Sequence, residues 1–307
     1  MNAAVLELVL VTIVTAATPL ALAALGELVA ERAGVLNLGV EGMMIVGAAL
    51  GFAAAWSTGS PALGALAGMA AGATLAALFG LLTIGLAINQ VAAGLALTLF
   101  GVGLSGLLGA GFVGLKREAP ARLSIPGLSD LPLVGKLVFG EDAFVYVALA
   151  LVAAVAWFLA RTRAGLALRA IGDNHDSAHA LGLPVRRARF LAVLFGGACA
   201  GLAGAYLSIA YTPFWSPGMT AGRGWIALAL VVFASWRPWR VVLGALLFGG
   251  ATVLQLHAQA ASIGLPGQLL SALPYLATIL ALMALSLGAR RNAAAPAALG
   301  QTFVPPR

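Results

Sequence analysis

The sequence predicts an all-α, polytopic helical membrane protein, and three observations predict it. Hydrophobic residues make up 62% of the chain and charged ones 9%, with a mean hydropathy of +1.03, which excludes an ordinary soluble domain. The apolar residues run in stretches of about 20, the length of helix that crosses the hydrocarbon core of a bilayer. The polar residues collect in a few segments between those stretches. Divided this way, the chain holds about 9 (8–10) spans in one transmembrane domain over 1–307. Its 39 glycines suit helices that pack closely in lipid through small residues.

Span one covers about Val5 to Leu25, with Pro19 set to kink it. The opening MNAAVLELVL lacks a basic leader region and is expected to be retained. Span one ends in GELVAERAG, where Glu27, Glu31 and Arg32 cluster. Spans two, three and four cover about Val35 to Trp56, Ala62 to Leu86 and Val91 to Phe112. The loop Val113 to Asp142 follows, rich in Pro and Gly, and balances Lys116, Arg117, Arg122 and Lys136 against Glu118, Asp130, Glu141 and Asp142. Span five, about Ala143 to Ala160, enters the long polar loop Arg161 to Arg189, and span six, about Phe190 to Ala210, leaves it. A Pro/Gly/aromatic connection, Tyr211 to Arg223, precedes short span seven, about Gly224 to Trp236. Spans eight and nine, about Val241 to His257 and Leu269 to Leu287, flank the last third.

Loop 161–189 carries six arginines against two aspartates, a net +4, whereas loop 113–142 nets zero. Basic loops stay on the cytoplasmic side, so 161–189 lies inside and 113–142 outside. Arg237-Pro238-Trp239-Arg240 and Arg290-Arg291 then fall inside as well, and the N-terminus outside. The overall charge of +7 is sorted by membrane side rather than massed on one face, which argues against nucleic-acid binding. A faint repeat, Arg32-Ala33-Gly34 against Arg223-Gly224, would run in opposite senses across the membrane.

Inside the basic loop a short helix has both ends written in. Asp173 and Asn174 suit the cap of a first turn, Asp176 adds negative charge there, and Gly182 then Pro184 supply a left-handed stop and a block. The predicted helix, Asn174 to Leu181, is too short to hold alone in water and must dock on something.

Few polar groups enter the spans, and each is costly unless it faces protein or water. Asn37 and Glu41 are four residues apart on one helix face, among Gly34, Gly39 and Gly42, which let a helix unwind. Asn89, Gln90 and Thr98 open span four. These groups either line a path or tie helices together. Trp215 and Trp225 suit interface anchors. Cys199 is a small core residue, and His175 and His179 lack partners at ligand spacing, so no metal is expected.

The string Arg169-Ala170-Ile171-Gly172-Asp173-Asn174, with Ala178 and Gly182, resembles the coupling loop of permease subunits of bacterial ABC importers, departing at His175 and Ser177. ERAGVLNLGVEGMMIVGA (Glu31 to Ala48), NQVAAGLALTLFG (Asn89 to Gly101) and GRGWIALALVVFASWRP (Gly222 to Pro238) are similar to the nucleoside and simple-sugar branch of that superfamily, with Trp225 where Phe is common. The resemblance implies a type II ABC importer-like fold in the bacterial cytoplasmic (inner) membrane. It implies a coupling helix that seats in an ABC ATPase subunit, through Arg169, Gly172, Asp173, Asn174, Ala178 and Gly182. It implies a second permease subunit, here a related but different chain, and an extracytoplasmic substrate-binding protein that delivers a small polar solute. Nucleosides are the expected cargo and ribose- or galactose-like sugars the alternative, with Asn37, Glu41, Asn89, Gln90, Thr98 and Trp225 along the path.

A phosphate-binding loop needs Lys followed by Ser or Thr, and the two lysines, Lys116 and Lys136, precede Arg and Leu. No cofactor is therefore expected on this chain, ATP and Mg belonging to the partner ATPase, and no catalytic constellation is visible. An ion-coupled secondary transporter, with Glu41 as its coupling site, and a membrane scaffold remain the other classes.

Overall fold

The structure, a computed structural model, describes residues 3–123, 126, 127, 129, 134–260, 266, 268, 269, 272, 276, 279, 280, 283 and 295–304. Its elements are α1 (Ala3–Arg32), α2 (Val40–Thr58), α3 (Pro61–Gly80), α4 (Gln90–Gly109), α5 (Val134–Phe139), α6 (Ala143–Arg161), α7 (Arg163–Asp173), α8 (His175–Ala180), α9 (Val185–Tyr206), α10 (Arg223–Phe233) and α11 (Pro238–Ala260). α3 and α9 run on into π-helical turns, Leu81–Gly85 and Leu207–Tyr211. Among the described residues no sheet forms; two isolated bridges join Val113 to Trp215 and Lys116 to Phe214.

Seven of the described helices are long and apolar enough to cross a bilayer. They correspond to spans one to six and eight. Span one is longer than the sequence suggested, because α1 continues through Glu27 and Glu31 to Arg32 with both carboxyls buried. Span seven is α10, an eleven-residue helix about 16 Å long at 1.5 Å per residue. It crosses only about half of a 30 Å hydrocarbon core. Span nine and Arg290-Arg291 lie outside the described residues, apart from isolated positions in span nine.

α9 is the centre of the bundle. It packs on α1, α2 and α3, and its glycines set how closely those helices approach. A Cβ at Gly201 would collide with the Gly68 carbonyl, one at Gly197 with Ala76 on the same helix, and one at Gly204 with the Met44 carbonyl on α2. Gly197-x-x-x-Gly201 against Gly68-x-x-x-Gly72 is the small-residue packing by which membrane helices associate, since lipid supplies no hydrophobic drive between them. α1, buried on every side from Ala16 to Glu31, is enclosed by α9, α10, α11 and α6. Cys199 is buried where α9 meets Gly26 of α1.

The ends of the helices sort onto two sides. On one, Glu7 of α1 pairs with Lys136 of α5 (3.4 Å), the Arg117 N–H donates to the Pro213 carbonyl (3.0 Å), and an Arg117 guanidinium N–H reaches the Gly59 carbonyl (3.4 Å). On the other, Arg32 meets Trp236, and the basic loop meets Gly34. This is the grouping that the charge pattern assigned to outside and inside respectively. Trp215 is a core residue rather than an interface anchor: it is 1% exposed, packed on Ile45, Ala48, Ala49 and Phe52.

Candidate functional site

The basic loop folds into two helices, where the sequence marked one. Thr162 caps α7, its hydroxyl accepting from the Gly165 N–H (2.9 Å), and α7 turns Gly165, Leu168, Ile171 and Gly172 inward. Asn174 then caps α8, accepting from the Ser177 N–H (2.9 Å), and Gly182 at φ +80° closes it. Asp173 is the last residue of α7 and not part of the cap. Amphipathic α7 was missed because its apolar positions sit among arginines, so the stretch read as a polar loop.

The motif residues divide between two roles. Gly172 and Ala178 are buried: a Cβ at Gly172 would collide with the Arg32 carbonyl, and Ala178 packs beneath Phe303. Arg169 is half-buried, and Asp173, Asn174 and Gly182 are exposed. The outer face of α8 presents Asp176, Ser177, His179 and Leu181, the last 82% exposed. His175 faces inward and accepts at Nδ1 from the Arg189 guanidinium (3.1 Å). Burial, with Arg189 beside it, lowers the His175 pKa, so the ring is neutral at neutral pH.

Behind this loop the chain is unwound between α1 and α2, and polar side chains from several helices meet its backbone. The Leu36 N–H donates to Gln90 Oε1 (2.8 Å), the Asn37 N–H to Glu27 Oε1 (3.0 Å), and the Gly39 N–H to Asn37 Oδ1 (2.9 Å). Thr98 donates to the Leu38 carbonyl (2.9 Å) and Arg189 to the Ala33 carbonyl (3.0 Å). Non-helical backbone survives at membrane depth only where protein satisfies it, and these side chains do so.

A second break precedes α10. Residues 212–222 descend from the outer side, and the Glu41 carboxyl meets the chain where the helix begins. It accepts from the Thr220 hydroxyl (2.6 Å), the Gly222 N–H (2.9 Å) and the Gly224 N–H (2.7 Å). Glu41 thus performs at α10 what an N-cap carboxylate performs locally, from a different helix. At the other end of α10, Ser235 and Trp236 both hold left-handed backbone (φ +50° and +54°), a strained pair fixed by bonds to α1. The Trp236 indole donates to Glu31 (2.6 Å), and Arg32 donates to the Trp236 carbonyl (3.0 Å).

Of the six residues expected along a path, Asn37, Glu41, Gln90 and Thr98 are buried and bonded to protein. Asn89 is exposed and caps α4 through the Ala92 N–H (3.0 Å). Trp225, half exposed, lies one residue past the Glu41-bonded N–H of Gly224. Sequence reasoning missed Glu27, Thr220 and Arg189 as parts of this framework. Glu27 and Arg189 stood out only as charges near apolar spans, and nothing local marked Thr220. A cavity of about 450 Å³ between α1, α6, α7 and α9 is lined by apolar side chains such as Val29, Leu151, Phe158, Leu168 and Phe195, which offer a polar solute no partner. Among the described residues no group of three His, Cys, Asp or Glu could hold a metal.

Residues 9–287 match the family model for the branched-chain amino acid transport system permease component. The chain is 46% identical over 288 residues to the Putative glucose ABC transporter permease protein TsgC13 of Haloferax volcanii, covering 87% of this chain and 88% of the relative. It is 30% identical over 314 residues to the guanosine ABC transporter permease protein NupQ of Bacillus subtilis, covering 98% and 97%. It is 32% identical over 313 residues to the nucleoside ABC transporter permease protein NupC of Lactococcus lactis, covering 97% of each. No solved structure matches the chain. The chain belongs to the branched-chain amino acid transport system permease component family, and is a multi-pass ABC permease subunit of the cytoplasmic (inner) membrane, a transport component rather than an enzyme.

Proposed function

We propose that this subunit passes nucleosides inward by alternating access, driven by separate ABC ATPase subunits that receive α8. The observation that carries the mechanism is the division of the coupling motif. Gly172 seats the loop against the end of α1 and the start of the unwound 33–39 segment, and Ala178 packs with Val185 and Phe303, while Asp176, Ser177 and Leu181 are turned out on the basic side. A face of this kind can take a partner without disturbing the bundle. ATP and Mg act on the ATPase subunits, a substrate-binding protein delivers cargo on the opposite side near 113–142 and 211–223, and a second permease chain completes the path.

Nucleosides lead because the guanosine and nucleoside permease relatives align along nearly the whole chain. Simple sugars are the second reading, favoured by the 46% identity to the glucose-named relative. Both cargoes share a neutral, hydroxylated sugar ring, and Trp225 at the start of α10 offers an aromatic face to it. Nucleosides and hexoses, each supplied with the cognate binding protein, are compared as stimulators of ATP hydrolysis by the reconstituted complex. Stimulation by hexose alone overturns the nucleoside reading. Trp225→Ala is expected to raise the transport KM about fivefold at unchanged thermal stability.

The docking itself is tested by Leu181→Asp and Ser177→Arg, which alter only exposed side chains. Co-purification of the ATPase with wild type and its loss in both variants supports the reading. Equal recovery of the ATPase with all three chains sinks it.

A further inference from the structure

Residues 295–304, beyond the segment that the family model matches, fold back onto the coupling loop. The Ala298 N–H donates to the Gly172 carbonyl on α7 (2.9 Å), and the Gly300 N–H to the Gly34 carbonyl in the unwound segment (3.2 Å). The Gln301 carbonyl accepts from Arg189 of α9 (2.9 Å) and from Gln90 of α4 (3.4 Å). Gly300 turns the chain at φ +75°, a left-handed conformation that a side chain would strain. Phe303, 6% exposed, then enters a small core with Ile171, Ala178 and Val185, its ring 5.3 Å from those of His175 and His179.

A six-residue helix has too few internal bonds to stand alone, so its position is decided by what its inner face touches. That face is Ala178 and His175, and Phe303 lies against both. The same short segment also bonds the unwound backbone at Gly34 and the Gln90 side chain that holds Leu36. It therefore ties α8 to the unwound stretch between α1 and α2, alongside the link that runs from His175 through Arg189 to the Ala33 carbonyl.

We propose that residues 296–303 form a strap that makes α8 and the 33–39 segment one mechanical unit, with Phe303 as the positioning residue. The proposal rests on the coupling-loop reading above. Movement of α8 on ATPase closure is carried by the strap to 33–39, and from there to α2 and the Glu41 contact with α10. Without it, only the link through His175 and Arg189 remains, with Arg189 no longer held by Gln301, and α8 can stay docked on the ATPase while most of its movement is lost before reaching the spans.

The test compares wild type, Phe303→Ala, Gly300→Val, a deletion of 295–307 and Phe303→Leu in the reconstituted complex, reading assembly, ATP hydrolysis and transport per ATP hydrolysed. Truncating a buried aromatic side chain shifts a docking equilibrium roughly tenfold or more. The expected result is normal assembly and hydrolysis with transport per ATP lowered by that order in the first three variants, and largely restored by Phe303→Leu. A merely stabilising tail would lower yield and leave transport per ATP unchanged, which overturns the strap; Phe303→Ala decides if the deletion fails to accumulate. Loss of the ATPase from the tail variants alone also overturns it, making the tail part of the docking surface. Failure of wild type to bring down an ATPase refutes the coupling-loop reading instead.

Discussion

The two breaks in the bundle are held in opposite ways. At 33–39, five side chains, Glu27, Asn37, Gln90, Thr98 and Arg189, each meet one backbone group, and they come from three helices besides the break itself. At the start of α10, one carboxyl, Glu41, meets three donors. The first arrangement spreads the cost of unwinding over many weak contributions. The second concentrates it in a single residue placed on the helix that leaves the first break. Glu41 thereby links the two, since any displacement of the α2 N-terminus carries the cap of α10 with it. The sequence left Glu41 either along a path or as a structural group, and its three bonds favour the structural alternative, a hinge between the two breaks.

The largest effect of any single polar substitution is expected at Glu41. Glu41→Ala strips three donors of their acceptor in a buried place, at a cost of roughly 3–5 kcal/mol, and is expected to abolish folded yield in size-exclusion profiles. Glu41→Gln keeps an acceptor for Thr220 and Gly222 but sets an amide against the Gly224 N–H. It is expected to lower Tm and still transport. Wild-type stability of Glu41→Ala would remove the hinge.

Next come Gln90→Leu and Thr98→Val at the distributed break. Each is expected to cost about 1–2 kcal/mol and to leave a folded, transporting protein, because the remaining side chains still hold the segment. A collapse as severe as that of Glu41→Ala in either would erase the distinction between the breaks.

The smallest effect is a control on the outer side, away from both breaks. Glu141 is buried and both carboxyl oxygens lack a described partner. Burial pushes its pKa up to about 7, with Arg122 opposing and Asp142 adding to the rise. The folded state therefore holds this proton between the ordinary carboxylate pKa of 4.5 and about 7 while the unfolded chain releases it. Stability falls as pH rises through that window. Glu141→Gln is expected to raise Tm at pH 8 and to change it little at pH 4.5. An equal change at both would show that ionisation is not the cause.

Much of this molecule was written locally. Stretches of about 20 apolar residues marked the class, and arginine placement sorted the loops into two groups, because lipid rejects unsatisfied backbone and charge wherever they occur. The α8 boundaries were legible because Asn174 and Gly182 act within a turn of themselves. Asn37, Gln90 and Thr98 were legible as groups that either line a path or tie helices together, but the backbone groups they meet were not, since those belong to other elements or to an irregular turn. Glu41 finds its partners about 180 residues away, in a stretch whose Pro and Gly said only that a helix was interrupted.

The sequence by itself therefore determined the helical class, the sorting of basic and neutral loops, the capped helix in the basic loop and the family motifs. The tertiary structure decided that span seven is half a helix, which polar groups hold the broken backbone, and that Phe303 lies under α8. The physical reason is range: burial in lipid and helix capping are set by neighbours in the chain, whereas the satisfaction of an unwound segment depends on side chains that only packing brings together.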